Sequence, residues 1–276
     1  MAATVTTIHH RLPASIAARA VLASVVVVAA AAVPTLWILG LGYLIHLPFL
    51  MNTFGWCEQV FGVHNSLSPL IGLPAILAAG IGTVQAVCVL HTYRRLRHDG
   101  LAPIEIARHL QPFAFTLPGR GGHIVVSTGL VELLDEDERR VVLAHEGAHA
   151  QYRHDRYLLV AQLATAAMPM LRPLSSRLQF SLERWADETA AKECGDRHFV
   201  ARTLGKVALH SVSPVGVLSF ASLGVTARVA ALLAPPNPTP RSSMLIGLWF
   251  AIAATGAFAG LQIHHLTSLV SALCHH

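Results

Sequence analysis

The stretch VVLAHEGAHAQYRHD, residues 141–155, holds two histidines four positions apart, with a glutamate directly after the first. Positions i and i+4 share one face of a helix, so His145 and His149 can direct their imidazole nitrogens at one metal ion. Glu146 lies beside the first of them. The chain carries 17 histidines, however, and a solvated helix with two incidental histidines is the competing interpretation. The surrounding sequence decides between the two.

Local signals place this stretch in the middle of a helix that follows a pair of short strands. Asp135 is a suitable N-cap, and Glu138 three residues later completes a capping-box pattern at an acidic helix start. Upstream, Phe113–Leu117 and His123–Ser127 are predicted as strands joined by the turn PGRGG, with the second strand as a sheet edge. Residues 102–111 are expected to form a short helix or a connector. The helical context favours a metal site.

The chemistry of the pattern is that of H-E-x-x-H zinc sites. Zinc lowers the pKa of a bound water towards about 7, and a carboxylate at the position of Glu146 can take the proton as general base. A catalytic zinc also requires a third protein ligand. Asp155, six residues after His149, is a weak candidate because the glycine turn that such sites need is replaced by Tyr152. We expect Asp155 and His154 to lie where the helix meets solvent.

The segment LERWADETAA, residues 182–191, offers a better third ligand. Glu183 and Asp187 are four residues apart on a helix predicted to begin near Pro173 and to stop at Gly195, so they share one face. Glu183 can bind zinc while Asp187 accepts a hydrogen bond from the second nitrogen of a ligand histidine. The competing interpretation is a solvated acidic helix face.

Apolar segments flank this charged middle part of the chain. The sequence is 53% hydrophobic and 13% charged, against roughly 25% charged residues in ordinary soluble domains. Segments 20–45, 68–91 and 244–263 each reach the length of about 20 apolar residues that a bilayer core requires. A cleaved signal peptide competes for the first, but its apolar run exceeds the roughly 7–15 residues of such a peptide. The chain is therefore predicted to be an integral membrane protein.

The predicted organisation has three parts. Residues 1–92 form an N-terminal membrane hairpin, residues 93–241 a cytoplasmic zinc peptidase domain, and residues 242–276 a C-terminal transmembrane helix with a short tail. The apolar run 157–171 is too short to cross comfortably, and a crossing there would separate the two halves of the zinc site. We expect it to be a core helix or a shallow re-entrant one. The predicted fold class is mainly α, with about three transmembrane helices, a helical zincin domain and a small β-hairpin or edge sheet.

Arginine placement predicts the orientation. Arg11 and Arg19 precede the first span, Arg94, Arg95 and Arg97 follow the second, and Arg241 precedes the third, whereas residues 46–67 contain no Lys or Arg. The N-terminus and the middle part should face the cytoplasm. Cys57 and Cys274 would then both be external, where a disulfide could form. Residues 94–241 carry 18 basic and 14 acidic side chains, which suits a domain lying against anionic lipid and calls for no direct nucleic acid binding.

The stretch HIVVSTGLVELLDEDERRVVLAHEGAHAQYRHD, residues 123–155, followed by LERWADETAA, resembles membrane-bound gluzincin metallopeptidases. Two related groups share it: the BlaR/MecR-type signal-transducing peptidases, and the HtpX and CAAX prenyl endopeptidases. The resemblance covers roughly residues 110–195. It implies one Zn²⁺ per chain held by His145, His149 and Glu183, with Glu146 as general base and Asp187 as the partner of a ligand histidine.

The resemblance also bears on the substrate. It implies cleavage of a protein or peptide, either a transcriptional repressor, as for the BlaR type, or a misfolded membrane protein, as for the HtpX type. BlaR-type sensors carry a penicillin-binding domain after their last span, where this sequence continues for about 13 residues, so antibiotic sensing is not expected. The competing hypothesis from another class is a non-catalytic membrane signalling or scaffold protein that retains the fold.

Overall fold

The computed structural model describes residues 12–44, 68–97, 104–119, 121–210, 218–235 and 242–272. The chain divides into two compact units. The first comprises residues 1–21, 91–159 and 174–240, and the second comprises residues 22–90, 160–173 and 241–276. Cys57 and Cys274 lie outside the described residues, so their pairing stays a prediction.

Long apolar helices dominate the second unit. Helices α1 (Ala14–Leu44) and α2 (Pro69–Leu96) are long and apolar enough to cross a membrane. They pack closely: a Cβ on Gly40 would lie 2.8 Å from the Cα of Ile76, so only glycine fits there. The third predicted span falls within a helix over Ser242–Ala272, whose described side chains include the shorter apolar stretch Ile252–Leu261.

A three-stranded sheet lies in the first unit. Strands β1 (Ile104–Ala107), β2 (Ala114–Leu117) and β3 (His123–Ser127) are ordered β1-β3-β2. The antiparallel pairing of β2 with β3 confirms the predicted hairpin, and Gly122 in its turn has a φ of +67°, a conformation that favours glycine.

Two sequence expectations about the sheet are wrong. Residues 104–107 are neither helix nor connector, because they pair in parallel with β3. β3 is the central strand rather than an edge, and all five of its residues are buried. Its weak alternation reflects burial on both faces. The four-residue β1 has too little periodicity to be recognised alone, since it is stabilised by pairing with a strand about 20 residues away.

The helices around the motif follow directly from β3. A short helix, α3 (Thr128–Leu133), leads to α4 (Glu136–Gln151), and the Asp135 side chain accepts from the Glu138 N–H while the Glu138 side chain accepts from the Asp135 N–H. The predicted capping box is confirmed. α4 stops at Gln151 because Arg153 takes a positive φ of 55°. The next helix, α5 (His154–Ala167), therefore starts in a new direction.

The remaining helices complete the first unit. A 3₁₀ turn over Pro169–Leu171 precedes α6 (Arg172–Cys194), which is followed by α7 (Arg197–His210) and α8 (Leu218–Leu233). Gly195, with a φ of 75°, ends α6 as the sequence predicts. These helices share a buried core with α4, formed by Val141, Ala190, Ala191, Val200, Ala201 and Leu232. The last helix, α9 (Ser242–Ala272), belongs to the second unit.

The apolar run 157–171 is helical as far as Ala167. Residues 160–173 group with the second unit, where a Cβ on Gly82 of α2 would lie 2.9 Å from the Cα of Ala167. The end of α5 therefore packs against α2. Whether this run is re-entrant in a bilayer stays a prediction, as do the domain boundaries at residues 92 and 241.

Candidate metal centre

Three potential metal ligands converge between α4 and α6. His145 and His149 lie one turn apart on α4 with their Nε2 atoms 3.2 Å apart. The Glu183 carboxylate on α6 places Oε2 at 3.5 Å from His145 Nε2 and Oε1 at 3.6 Å from His149 Nε2. Tetrahedral zinc with ligands at about 2.0–2.1 Å separates neighbouring donor atoms by about 3.3–3.4 Å. The donor set fits a zinc ion in both spacing and atom type.

Asp187 orients the first histidine. Its Oδ1 lies 3.0 Å from His145 Nδ1, so that the Nδ1–H of His145 donates to the carboxylate and Nε2 faces the Glu183 carboxylate. Asp187 is buried, with 4% of its side chain exposed. Burial lowers the pKa of His145, but the hydrogen bonds and charges of Asp187 and Glu183 outweigh that effect and raise it above its usual value. The Asp187 and Glu183 carboxylates thus favour a positive charge at His145.

Arg228 on α8 belongs to the same site, although sequence reasoning missed it. It donates to both oxygens of Asp187, from Nε at 2.8 Å and from Nη2 at 2.7 Å. A third contact joins Nη1 to Glu183 Oε2 at 2.9 Å. Burial raises the pKa of Asp187, but the Arg228 and His145 partners outweigh it and lower the value. A lone arginine inside the apolar stretch VTARVAALL is the sequence signal that could have identified it.

The charges of this cluster leave room for a divalent cation. Glu146, Glu183 and Asp187 contribute three carboxylates, and Arg228 contributes one fixed positive charge. Burial raises the pKa of Glu183, yet His145 and Arg228 together lower it below its ordinary value. The Glu183 carboxylate and the Nε2 atoms of the two histidines, once His145 is deprotonated, form a donor set that suits a Zn²⁺ ion.

Comparison with known proteins agrees with this geometry. Residues 95–175 match the family described as Peptidase family M48. The chain is also 36% identical over 75 residues to the Protease HtpX homolog of Aeropyrum pernix, a match that spans 26% of this chain and 24% of that protein. The similarity to the M48 peptidases is thus confined to the segment that carries the two histidines and Glu146. A comparison with solved structures found no significant match.

The M48 match contains His145, Glu146 and His149, but it ends at residue 175 and does not reach Glu183 on α6. The place of Glu183 and Asp187 in the site therefore rests on the structure, which brings every residue predicted for the site into one cluster. Among the described residues, His145, His149 and Glu183 are the group whose donor atoms could hold one metal ion.

His154 does not lie on the surface, as the sequence suggested. Its ring is 1% exposed, and its Nδ1 lies 2.9 Å from Nδ1 of His149. The prediction treated both histidines as parts of one helix, whereas the turn at Arg153 returns His154 to the cluster and packs it 5.0 Å from the Trp185 ring. Burial and the neighbouring His149 lower the pKa of His154 to about 3. A neutral His154 can accept the Nδ1–H of His149, which leaves His149 Nε2 free to bind metal.

Glu146 also contacts the sheet. It is 9% exposed, and the hydroxyl of Thr116 on β2 lies 2.8 Å from Glu146 Oε2 and 2.9 Å from its backbone oxygen. This hydroxyl can hold one carboxylate oxygen and leave Oε1 as the available proton acceptor. The turn glycine Gly122 keeps the hairpin close to α4, because a Cβ there would lie 2.1 Å from the Cβ of Ala150.

Asp155 lies outside this arrangement, in keeping with its rejection as a ligand. The Tyr93 hydroxyl donates to its Oδ2 at 2.7 Å. Asp155 is therefore held by α2 and the start of α5 rather than simply solvated.

Proposed function

We propose that the chain is an integral membrane zinc-dependent metalloendopeptidase that hydrolyses peptide bonds of protein substrates. The observation that carries the proposal is the convergence of His145, His149 and Glu183 at donor spacings that fit tetrahedral zinc. Glu146 follows the first ligand directly, and the M48 relationship supports the same chemistry. The chain spans about a quarter of the length of the curated relative it matches, so activity and substrate are our inference.

His145, His149 and Glu183 would hold the zinc ion, leaving a fourth position open. A bound zinc ion supplies a Lewis acid that polarises a carbonyl and lowers the pKa of water. Glu146 acts as general base, with Oε1 taking the proton while Thr116 holds Oε2. Asp187 keeps the proton of His145 on Nδ1, and Arg228 holds Asp187 in place.

The sheet supports a mode of substrate binding. β2 is an edge strand, and its Thr116 contacts the proposed base. An extended peptide could add to this edge by main-chain hydrogen bonds and pass close to the metal ligands. Such a mode requires little side-chain specificity, which suits either a transcriptional repressor or a misfolded membrane protein as substrate.

We further propose that the protein is a multi-pass protein of the cell membrane with its active site on the cytoplasmic face. Helices α1 and α2 have the length and composition of spans, and arginines 94 and 95 lie in the last turn of α2. Basic residues at that end favour the cytoplasmic side and the surface of anionic lipids.

The test compares the full chain with Glu146→Gln, purified in detergent, for bound zinc and for cleavage of casein. The amide keeps the shape but cannot act as base, so the rate should fall by about 10²–10⁴ while bound zinc stays near one per chain. Equal cleavage by both proteins would refute the assigned base. Zinc bound without cleavage by either would favour the scaffold, and no stoichiometric zinc would defeat both metal hypotheses.

A further inference from the structure

A cavity in the first unit lies beside helices α6 and α8, which also contribute residues to the metal cluster. It has a volume of about 300 Å³ and lies between α6, the start of α7 and the end of α8. Its charged lining comes from Arg184, Glu188 and Arg197, and its apolar wall consists of Phe180, Ala227, Ala230, Ala231, Ala234 and Pro235. The cavity therefore combines a charged end with an apolar wall.

Arg184 is the unusual group in this cavity. It is 7% exposed, and its Nε has no hydrogen-bond partner in the part of the chain that the structure describes. Burial lowers its pKa, as expected for a guanidinium withdrawn from water. The charges of Glu188 and Asp187 oppose this effect, and a guanidinium stays protonated in proteins.

The other charged groups of the cavity are already satisfied. Arg197 donates to Glu188 and to the carbonyl oxygens of Ala231, Leu232 and Ala234 at the end of α8. It thus caps the C-terminus of α8 and neutralises the Glu188 carboxylate. Arg184 and Arg197 share this one carboxylate of the cavity lining, which leaves one net positive charge.

Outside the described residues, the sequence contains no acidic residue next to the helices that line this cavity. The two acidic residues outside the described residues are Glu58 and Asp99, both far along the chain from α6, α7 and α8. Segments 211–217 and 236–241, which border α8, contain no Asp or Glu. The nearest acidic group in the cavity lining is therefore Glu188, one turn along α6, whose carboxylate acts on Arg184 and is also paired with Arg197.

We propose that this cavity binds a phosphate group, with Arg184 as its principal donor. A guanidinium matches the oxygens of a phosphate through parallel N–H donors, and the volume accommodates a phosphate with room for an attached substituent. The alanine wall suits an apolar substituent, so the phosphate could come from a phospholipid headgroup or be free in solution. The site is distinct from the metal cluster, since Glu183 and Asp187 lie on a different face of α6, and it does not depend on peptidase activity.

The first experiment measures binding of inorganic phosphate to the full chain in detergent by calorimetry and thermal unfolding, with chloride at equal ionic strength as reference. The wild type should bind phosphate saturably and gain thermal stability. Arg184→Gln should weaken binding at least about tenfold, because a charge-assisted hydrogen bond is lost. Arg140→Gln is the matched control, because the Arg140 side chain is 68% exposed and the substitution removes the same charge. Phosphate binding by this variant should equal that of the wild type.

A second variant protects the test against misfolding. Ala230→Leu fills the cavity from the α8 side and leaves Arg184 intact, so it should also abolish phosphate binding. Soluble short-chain phosphatidylglycerol identifies the source: tighter binding than inorganic phosphate indicates a lipid headgroup, and equal binding indicates free phosphate. Failure of the wild type to bind either probe would overturn the proposal. So would equal binding by the wild type and by whichever cavity variant folds.

Discussion

Replacing Arg228 by methionine tests how much the ion pairs of Arg228 with Asp187 and Glu183 stabilise the protein. Arg228 is 12% exposed and makes three charge-assisted contacts of 2.7–2.9 Å, two to Asp187 and one to Glu183. Methionine keeps the apolar bulk of the side chain but leaves the nearly buried Asp187 carboxylate with His145 as its remaining partner. Removing one partner of a buried ion pair costs about 3–5 kcal/mol. We expect the free energy of unfolding of the metal-free protein to fall by that amount.

The assay is urea unfolding of the metal-free full chain in detergent, followed by circular dichroism. Arg228→Lys restores the charge without the planar fork, so its loss should be smaller than that of Arg228→Met. Arg140→Met is the surface control, because its exposed pair with Asp137 at 3.6 Å should contribute less than about 1 kcal/mol. A loss below about 1 kcal/mol for Arg228→Met would show that the three contacts do not stabilise the fold as argued.

Three further variants test single contacts. Asp135→Ala removes the N-cap of α4 and should cost about 1 kcal/mol in thermal unfolding; an unchanged midpoint would contradict the capping role. Thr116→Val removes the hydroxyl on Glu146 and should lower kcat about tenfold with bound zinc unchanged, whereas full activity would show that the base needs no such support. His154→Phe keeps the buried ring but not the acceptor for His149, so zinc affinity measured by chelator competition should fall about 10–100-fold with unchanged far-ultraviolet dichroism. Equal affinity would exclude that positioning role.

Local signals in the sequence were sufficient to predict much of the fold and the two histidines of the site. The capping box at Asp135, the hairpin turn before His123 and the stop at Gly195 each depend on hydrogen bonds or backbone angles within a few residues. The spacing of His145 and His149 follows from helix periodicity in the same way. Such features can be predicted because their energetics do not depend on the rest of the chain.

The contacts that were missed join residues far apart or depend on the direction in which the chain leaves an element. β1 is a strand because it pairs with β3, and Arg228 reaches Asp187 across 41 residues. His154 is buried because the left-handed turn at Arg153 ends α4 and returns the chain to its own histidine cluster. The sequence by itself determined the helix that carries the motif and the candidate ligands. Only the tertiary structure decided which carboxylates, arginine and histidine surround them, because helix packing brings together charges that no local pattern relates.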